Sequence, residues 1–234
     1  MKVRFFRDSK LLVLVSLVAM AKVTVSCKDD DKGVPRPEYG KVAFLNGSFA
    51  SDSLNFLVDS KKVNTSLIAY GDSIHYLDVS VGDRAFEIKA QNDTSLVKKT
   101  FKIERDKNYT LLVSNSKDGK TVELVQVTDD LGLPSADKAK VRFVHLSPDL
   151  GKLDFANGDS TVIADVDYLS ASAFKELEAQ KTNFHILDKE TKDTLLSVND
   201  VDLSKGKIYT IWLSGLKNDA DEGQKLKVHT FVNK

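Results

Sequence analysis

One cysteine, Cys27, is all that the 234 residues contain. That excludes an intramolecular disulfide framework and any cysteine-rich zinc site. An excess of one charge is missing as well. The 34 Lys and Arg balance 34 Asp and Glu, whereas a nucleic-acid binder needs surplus basic charge to displace counterions. Long apolar runs are absent: Leu11 to Ala21 is eleven residues with Ser16 inside it, and crossing a bilayer takes about 20. The four histidines, His75, His145, His185 and His229, show no metal-ligand spacing. No glycine-rich phosphate loop, nucleophile elbow or metalloprotease motif occurs. The sequence therefore predicts no catalytic residue, no metal and no cofactor. With 41% hydrophobic and 29% charged residues, a packed, water-soluble core is expected.

The amino terminus reads as an address. Lys2, Arg4, Arg7 and Lys10 precede the apolar run, the layout of a secretory signal peptide. Thr24-Val25-Ser26-Cys27 follows and resembles a bacterial lipobox, which implies lipidation of Cys27 and loss of residues 1–26. Thr24, in place of the usual Leu, and Lys22 depart from that pattern. The remaining chain would hold 29 basic and 33 acidic residues, a net charge of −4. Lys28, Asp29, Asp30 and Asp31 then resemble the surface-export signal of Bacteroidetes lipoproteins. Residues 27–39, with Pro35 and Pro37, are expected to form a charged tether.

From Gly40 the sequence nearly repeats itself after about 98–100 residues. KVAFLNGS (41–48) aligns with KVRFVHLS (140–147), and SLNFLVD (53–59) with KLDFANG (152–158). Tyr70 aligns with Tyr168, Phe86 with Phe184, and Tyr109-Thr110 with Tyr209-Thr210. Phe86, Ile88 and Ala90 alternate with Glu87, Lys89 and Gln91, the period of a strand with one buried face. Leu226, Val228, Thr230 and Val232 alternate in the same way with Lys227, His229 and Phe231. Short strands between closely spaced turns predict an all-β chain of two tandem antiparallel β-sandwiches, over residues 40–128 and 139–234 with a linker at 129–138. Residues 172–181 have helix propensity, but the repeat assigns them to a strand.

The stretches AKVRFVHLSPDLGKLDF (139–155) and KGKIYTIWLSG (205–215) resemble domain-of-unknown-function family 4397. The resemblance implies exported bacterial proteins with immunoglobulin- or transthyretin-like sandwiches, often in tandem, and carries no established chemistry.

Several residues are candidates for particular roles. Tyr109 and Tyr209 open strands after turns, the place of a tyrosine corner whose hydroxyl bonds upstream backbone. His145 is expected to be a hydrogen-bonded residue at a strand end. The acid pairs Asp165/Asp167, Asp200/Asp202 and Asp219/Asp221 are expected in solvated loops and edges, because Ala220 breaks the one calcium-loop spacing. Ser53, Ser73, Ser160 and Thr194 follow aspartates in triplets that resemble Bacteroidetes O-glycosylation acceptors. Trp212 is expected in the core, although its phase against Ile211 and Leu213 would also suit an outward, glycan-stacking position shared with Phe231.

These readings together predict a lipid-anchored, outer-membrane protein facing the extracellular side, with a non-enzymatic binding, adhesion or scaffolding role. Its partners would be the membrane, through the lipid on Cys27, and a glycan or protein ligand, with no nucleic acid. The alternatives are a subunit of a pilus-like assembly and a periplasmic hydrolase or accessory factor.

Overall fold

The computed structural model describes residues 37–234. Strands β1 (Tyr39–Asn46), β2 (Ser53–Val58), β3 (Lys61–Lys62), β4 (Ile68–Ala69) and β5 (Ser73–Ser80) open the chain. They are followed by β6 (Gly82–Ala90), β7 (Ser95–Ile103), β8 (Asn108–Asn115) and β9 (Val122–Asp129). The second half repeats the series as β10 (Lys138–Leu146), β11 (Leu153–Asn157), β12 (Ser160–Val166), β13 (Ser170–Ala171) and β14 (Lys175–Glu178). It closes with β15 (Lys181–Asp188), β16 (Thr194–Asp202), β17 (Ile208–Ser214) and β18 (Lys227–Val232). Every element is a strand, and there is no helix among the described residues.

Each half contributes two sheets. In the first, β5-β1-β8-β9 faces β3-β2-β6-β7, with β4 also on β2; in the second, β13-β10-β17-β18, with β14 also on β10, faces β12-β11-β15-β16. The sheets are antiparallel except for one matching pair in each half, β1 with β8 and β10 with β17, which run parallel. The alternation of apolar residues accounts for the two cores. Phe44, Phe56 and Phe86 stack in a column with centroids 4.7 and 6.0 Å apart. Phe143, Phe155 and Phe184 repeat the column at 4.9 and 4.5 Å. Residues 172–181 carry β14 because Lys175–Glu178 pairs with β10 and Leu177 packs on the core; this pairing overrides local propensity.

A third cluster is not a sandwich core. Ala43, Leu45 and Leu112 pack against Val144, Leu146, Trp212 and Phe231, joining the two halves through the outward faces of β1, β8, β10, β17 and β18. Strands β8 and β17 are therefore buried on both faces almost throughout. This is why TLLV and TIWL lack the alternation seen elsewhere. Each of the larger side chains in the seam contributes roughly 1.5–3 kcal/mol. The sheets approach so closely that a Cβ on Gly47 would lie 2.9 Å from the Cβ of Leu146. Those two positions are equivalent in the repeat, so one half supplies the knob where the other leaves the hole.

The seam places like ends together. Tyr70 meets Ser214, and Tyr168 meets the carbonyl of Asn115, so β1, β8, β10 and β17 all run from one end of the molecule to the other. At the root end lie the chain's entry at Pro37, the link from β9 to β10, and Lys234. At the far end lie the loops after β1, β8, β10 and β17. Strand β1 begins at Tyr39, and the link is held between Asp129, the last residue of β9, and Lys138, the first of β10.

Candidate functional site

Arg142 stands among apolar residues on β10, and its side chain is 1% exposed. Its Nη1 donates to Asp129 Oδ1 at 2.6 Å and its Nη2 to Thr110 Oγ1 at 2.9 Å, both in the first half. Its Nε donates to Thr210 Oγ1 at 2.8 Å, and Phe174 lies under the guanidinium at 4.7 Å. The remaining bonds close a ring. Thr210 donates to Asn233 Oδ1, Asn233 Nδ2 donates to Tyr76 Oη, and Tyr76 and Thr110 both donate to Asp129 Oδ2. Burial, then the Asp129 carboxylate, holds the Tyr76 phenol well above its usual pKa. The repeat explains the membership. Thr110 and Thr210 are equivalent, Asp129 ends β9 and Asn233 directly follows β18, and Arg142 occupies the position that is Ala43 in the first half.

Above this ring, at the root end, a cleft of about 750 Å³ opens between Lys41, Lys107 and Asn108 on one side and Asp130 to Gly132, Asn233 and Lys234 on the other. Tyr76 and Asp129 form its floor.

Two histidines mark the far end, His145 buried and His229 half-buried. His145 Nδ1 accepts the amide of Ser147, so the proton sits on Nε2, which donates to Gly151 O at 3.0 Å. Asn46, its equivalent, accepts the amide of Ser48 in the same way and donates to Ala69 O. His229 stacks on Trp212 at 4.1 Å, with Nε2 2.9 Å from the Ser214 hydroxyl that donates to Tyr70 Oη. Burial lowers both histidines to about 4. Asp167, Asp149 and Lys117 surround His145, and Lys227 and Asp72 flank His229. The indole beneath His229 favours its cation, but burial outweighs it.

The other candidate residues lie apart. Cys27, Lys28, Asp29, Asp30 and Asp31 are outside the described residues. Tyr109 Oη accepts the amide of Glu104 at 3.3 Å, and Tyr209 Oη accepts that of Ser204 at 2.9 Å; both rings are buried. Ser73, Ser160 and Thr194 are exposed at strand starts, whereas Ser53 is half-buried. His185 binds Ser197, and His75 packs at a tilt against Phe231. Asp165 pairs with Lys189, Asp200 and Asp202 lie on β16, and Asp219 accepts the amide of Asp221. Among the described residues, no three His, Cys, Asp or Glu side chains are grouped to hold a metal. Trp212 and Phe231 do not form an exposed platform. They are 1% and 2% exposed, because the face of β17 and β18 that a lone sandwich would leave open is covered by the other half.

The Arg142 ring was not anticipated from sequence. Its trace is there, however: an arginine in the apolar register of KVRFV, and a threonine after each repeated tyrosine.

Fold and seam define a protein of two fused β-sandwiches. The chain belongs to the family described as domain of unknown function (DUF4397), whose model matches residues 40–156, from β1 through the link into β11. Among solved structures, the C-terminal domain of AlgF from P. aeruginosa is similar at 26% identity over 41% of this chain and 98% of that one, with a TM-score of 0.32. CBMbc, a family CBM26 module from Eubacterium rectale Amy13K in complex with maltoheptaose, aligns at 12% identity over 82% of this chain and 96% of its own, with a TM-score of 0.27. No curated protein matches the chain.

Two predictions follow from this geometry. Arg142→Ala leaves the Asp129 carboxylate buried without its cation and should cost roughly 3–5 kcal/mol in urea unfolding, most of it recovered in Arg142→Met/Asp129→Leu. A loss below about 1 kcal/mol would show that the pair is not a keystone. The second concerns acid. Both histidines bind protons more readily unfolded (about 6.5) than folded (about 4), so their stabilisation is complete above about pH 6.5 and is lost as pH falls toward 4. His145→Asn, which installs the residue of the first half, should reduce the fall in urea midpoint between pH 7 and 4.5; an unchanged fall contradicts the assignment.

Proposed function

We propose that the protein is a lipid-anchored component of the bacterial outer membrane, displayed on the extracellular side, that binds or scaffolds a partner without catalysing a reaction. Residues 1–26 are its signal peptide, Cys27 is its lipid-bearing terminus, and the segment from Cys27 to the start of β1 at Tyr39 is its tether. One observation carries this reading: the chain enters the folded body at the root end, and the loops following β1, β8, β10 and β17 lie together at the other. Eight residues of strand separate the two ends by about 26 Å. A tether of about a dozen residues therefore leaves the far-end loops pointing away from the surface that holds the lipid. Loops carried on a rigid sandwich are the usual place for recognition.

The ligand is a glycan or a protein. Exposed Ser73, Ser160 and Thr194 are the accessible candidates for O-glycosylation, ahead of half-buried Ser53.

The test is protease treatment of intact cells. Wild type should be cut, and Cys27→Ser should leave the membrane fraction. Replacing Lys28 to Asp31 with alanine should protect the protein until the outer membrane is broken. Wild type that stays protected on intact cells rejects outward display.

A further inference from the structure

The two halves share a root-end feature that is occupied in one and open in the other. Lys140 on β10 lies directly across from Glu176 on β14. In the same register, Lys41 on β1 lies across from Asp78 on β5. Both lysines sit beside the repeated turn before the last parallel partner: Lys41 N donates to Lys107 O, and Lys140 N to Lys207 O. The two pairs are thus one device made twice.

In the second half that device grips main chain. Lys140 Nζ donates to Gly132 O at 2.6 Å, and Glu176 Oε1 accepts the Ser135 amide at 2.9 Å. A carbonyl and an amide three residues apart on the link are held by one cation and one anion. Asp130, two residues ahead of the gripped carbonyl, adds its carboxylate at 3.7 Å from Lys140. The link covers this lysine, whose side chain is 14% exposed.

In the first half the pair is free. Lys41 and Asp78 bond only each other, at 2.7 Å, with side chains 55% and 59% exposed. Beside Lys41 lies the root-end cleft, bounded by Asp106, Lys107, Asn108, Asp130, Asn233 and Lys234. Exposed ion pairs contribute little, so exchanging this one for two bonds to a peptide meets little resistance. The cleft continues the seam directly, since Tyr76 and Asp129 floor it.

We propose that Lys41, Asp78 and the adjoining cleft form a second seat for an extended polypeptide segment, supplied by a partner protein and bound through its main chain as the link is bound by Lys140 and Glu176. Lys41 takes a carbonyl, and Asp78 takes the amide three residues further on. An acidic residue two positions before that carbonyl faces Lys41 and Lys107. The best-matched chemistry is that of Asp130-Leu131-Gly132-Leu133-Pro134-Ser135, a short acidic segment that proline keeps extended. This seat rests on the internal repeat and not on the lipid anchor, so its failure leaves the display reading untouched.

The probe is the fluorescently labelled synthetic peptide TDDLGLPSADK, the chain's own residues 128–138, titrated against the whole protein by anisotropy. Saturable binding is expected, weakened at least about tenfold by Lys41→Ala and by Asp78→Ala. Lys140→Ala and Lys62→Ala should bind as wild type, because the tethered link competes at its own seat with an effective concentration of about millimolar. Three outcomes overturn the proposal: no saturable binding at millimolar protein, full binding by both Lys41→Ala and Asp78→Ala, or a loss that follows Lys140→Ala instead. The substituted side chains are more than half exposed. Urea midpoints equal to wild type confirm that the two key variants are folded.

Discussion

A buried ion pair between Arg142 and Asp129 joins the two halves of this molecule, and much else is arranged around it. Neither charge touches water, so each depends on the other and on Thr110, Thr210, Tyr76 and Asn233 to satisfy its remaining bonds. Such a pair adds less net stability than its distance suggests, because desolvation offsets most of the attraction. Its effect is on specificity. Slipping β10 or β9 by one residue against its neighbouring strand would turn Arg142 or Asp129 toward the sandwich side of its sheet and strand a charge in an apolar core. The hydrophobic part of the seam supplies adhesion, while the ring fixes the register.

The fixed register has consequences at both ends. Because like ends are joined, the four loops after β1, β8, β10 and β17 form one surface. The chain's entry and the link form the other. Reciprocity in the seam is close: Tyr70 and Tyr168 each reach across to the opposite half, and each ring carries a lysine from that half, Lys227 and Lys117, at 5.7 and 5.6 Å. The departures from reciprocity are informative. Arg142 against Ala43 and Leu146 against Gly47 interlock the halves, and the filled seat at Lys140 against the open one at Lys41 leaves a cleft.

Alternation at Phe86, Ile88 and Ala90, and the repeat that aligns Phe86 with Phe184, were enough to read an all-β chain of two repeated sandwiches. The same rule misassigned the last strand. Leu226 and Val228 do pack on the core, yet Val232 is 41% exposed, while His229 and Phe231, the supposed outer face, are covered. A period of two identifies which residues share a face but not whether a second layer covers the other. The missing alternation in TLLV and TIWL was the available sign of such a layer. Arg142 stayed hidden for a related reason: in one strand it looks like an exposed residue, and its partners lie 13 to 68 positions away in sequence.

Differential scanning calorimetry of the protein tests the fused seam most directly. If the ring and the apolar cluster make one body of the two sandwiches, they unfold together, in a single transition whose calorimetric and van't Hoff enthalpies agree. Two resolved transitions, or a calorimetric enthalpy about twice the van't Hoff value, would mean that the halves melt independently and that the seam does not couple them.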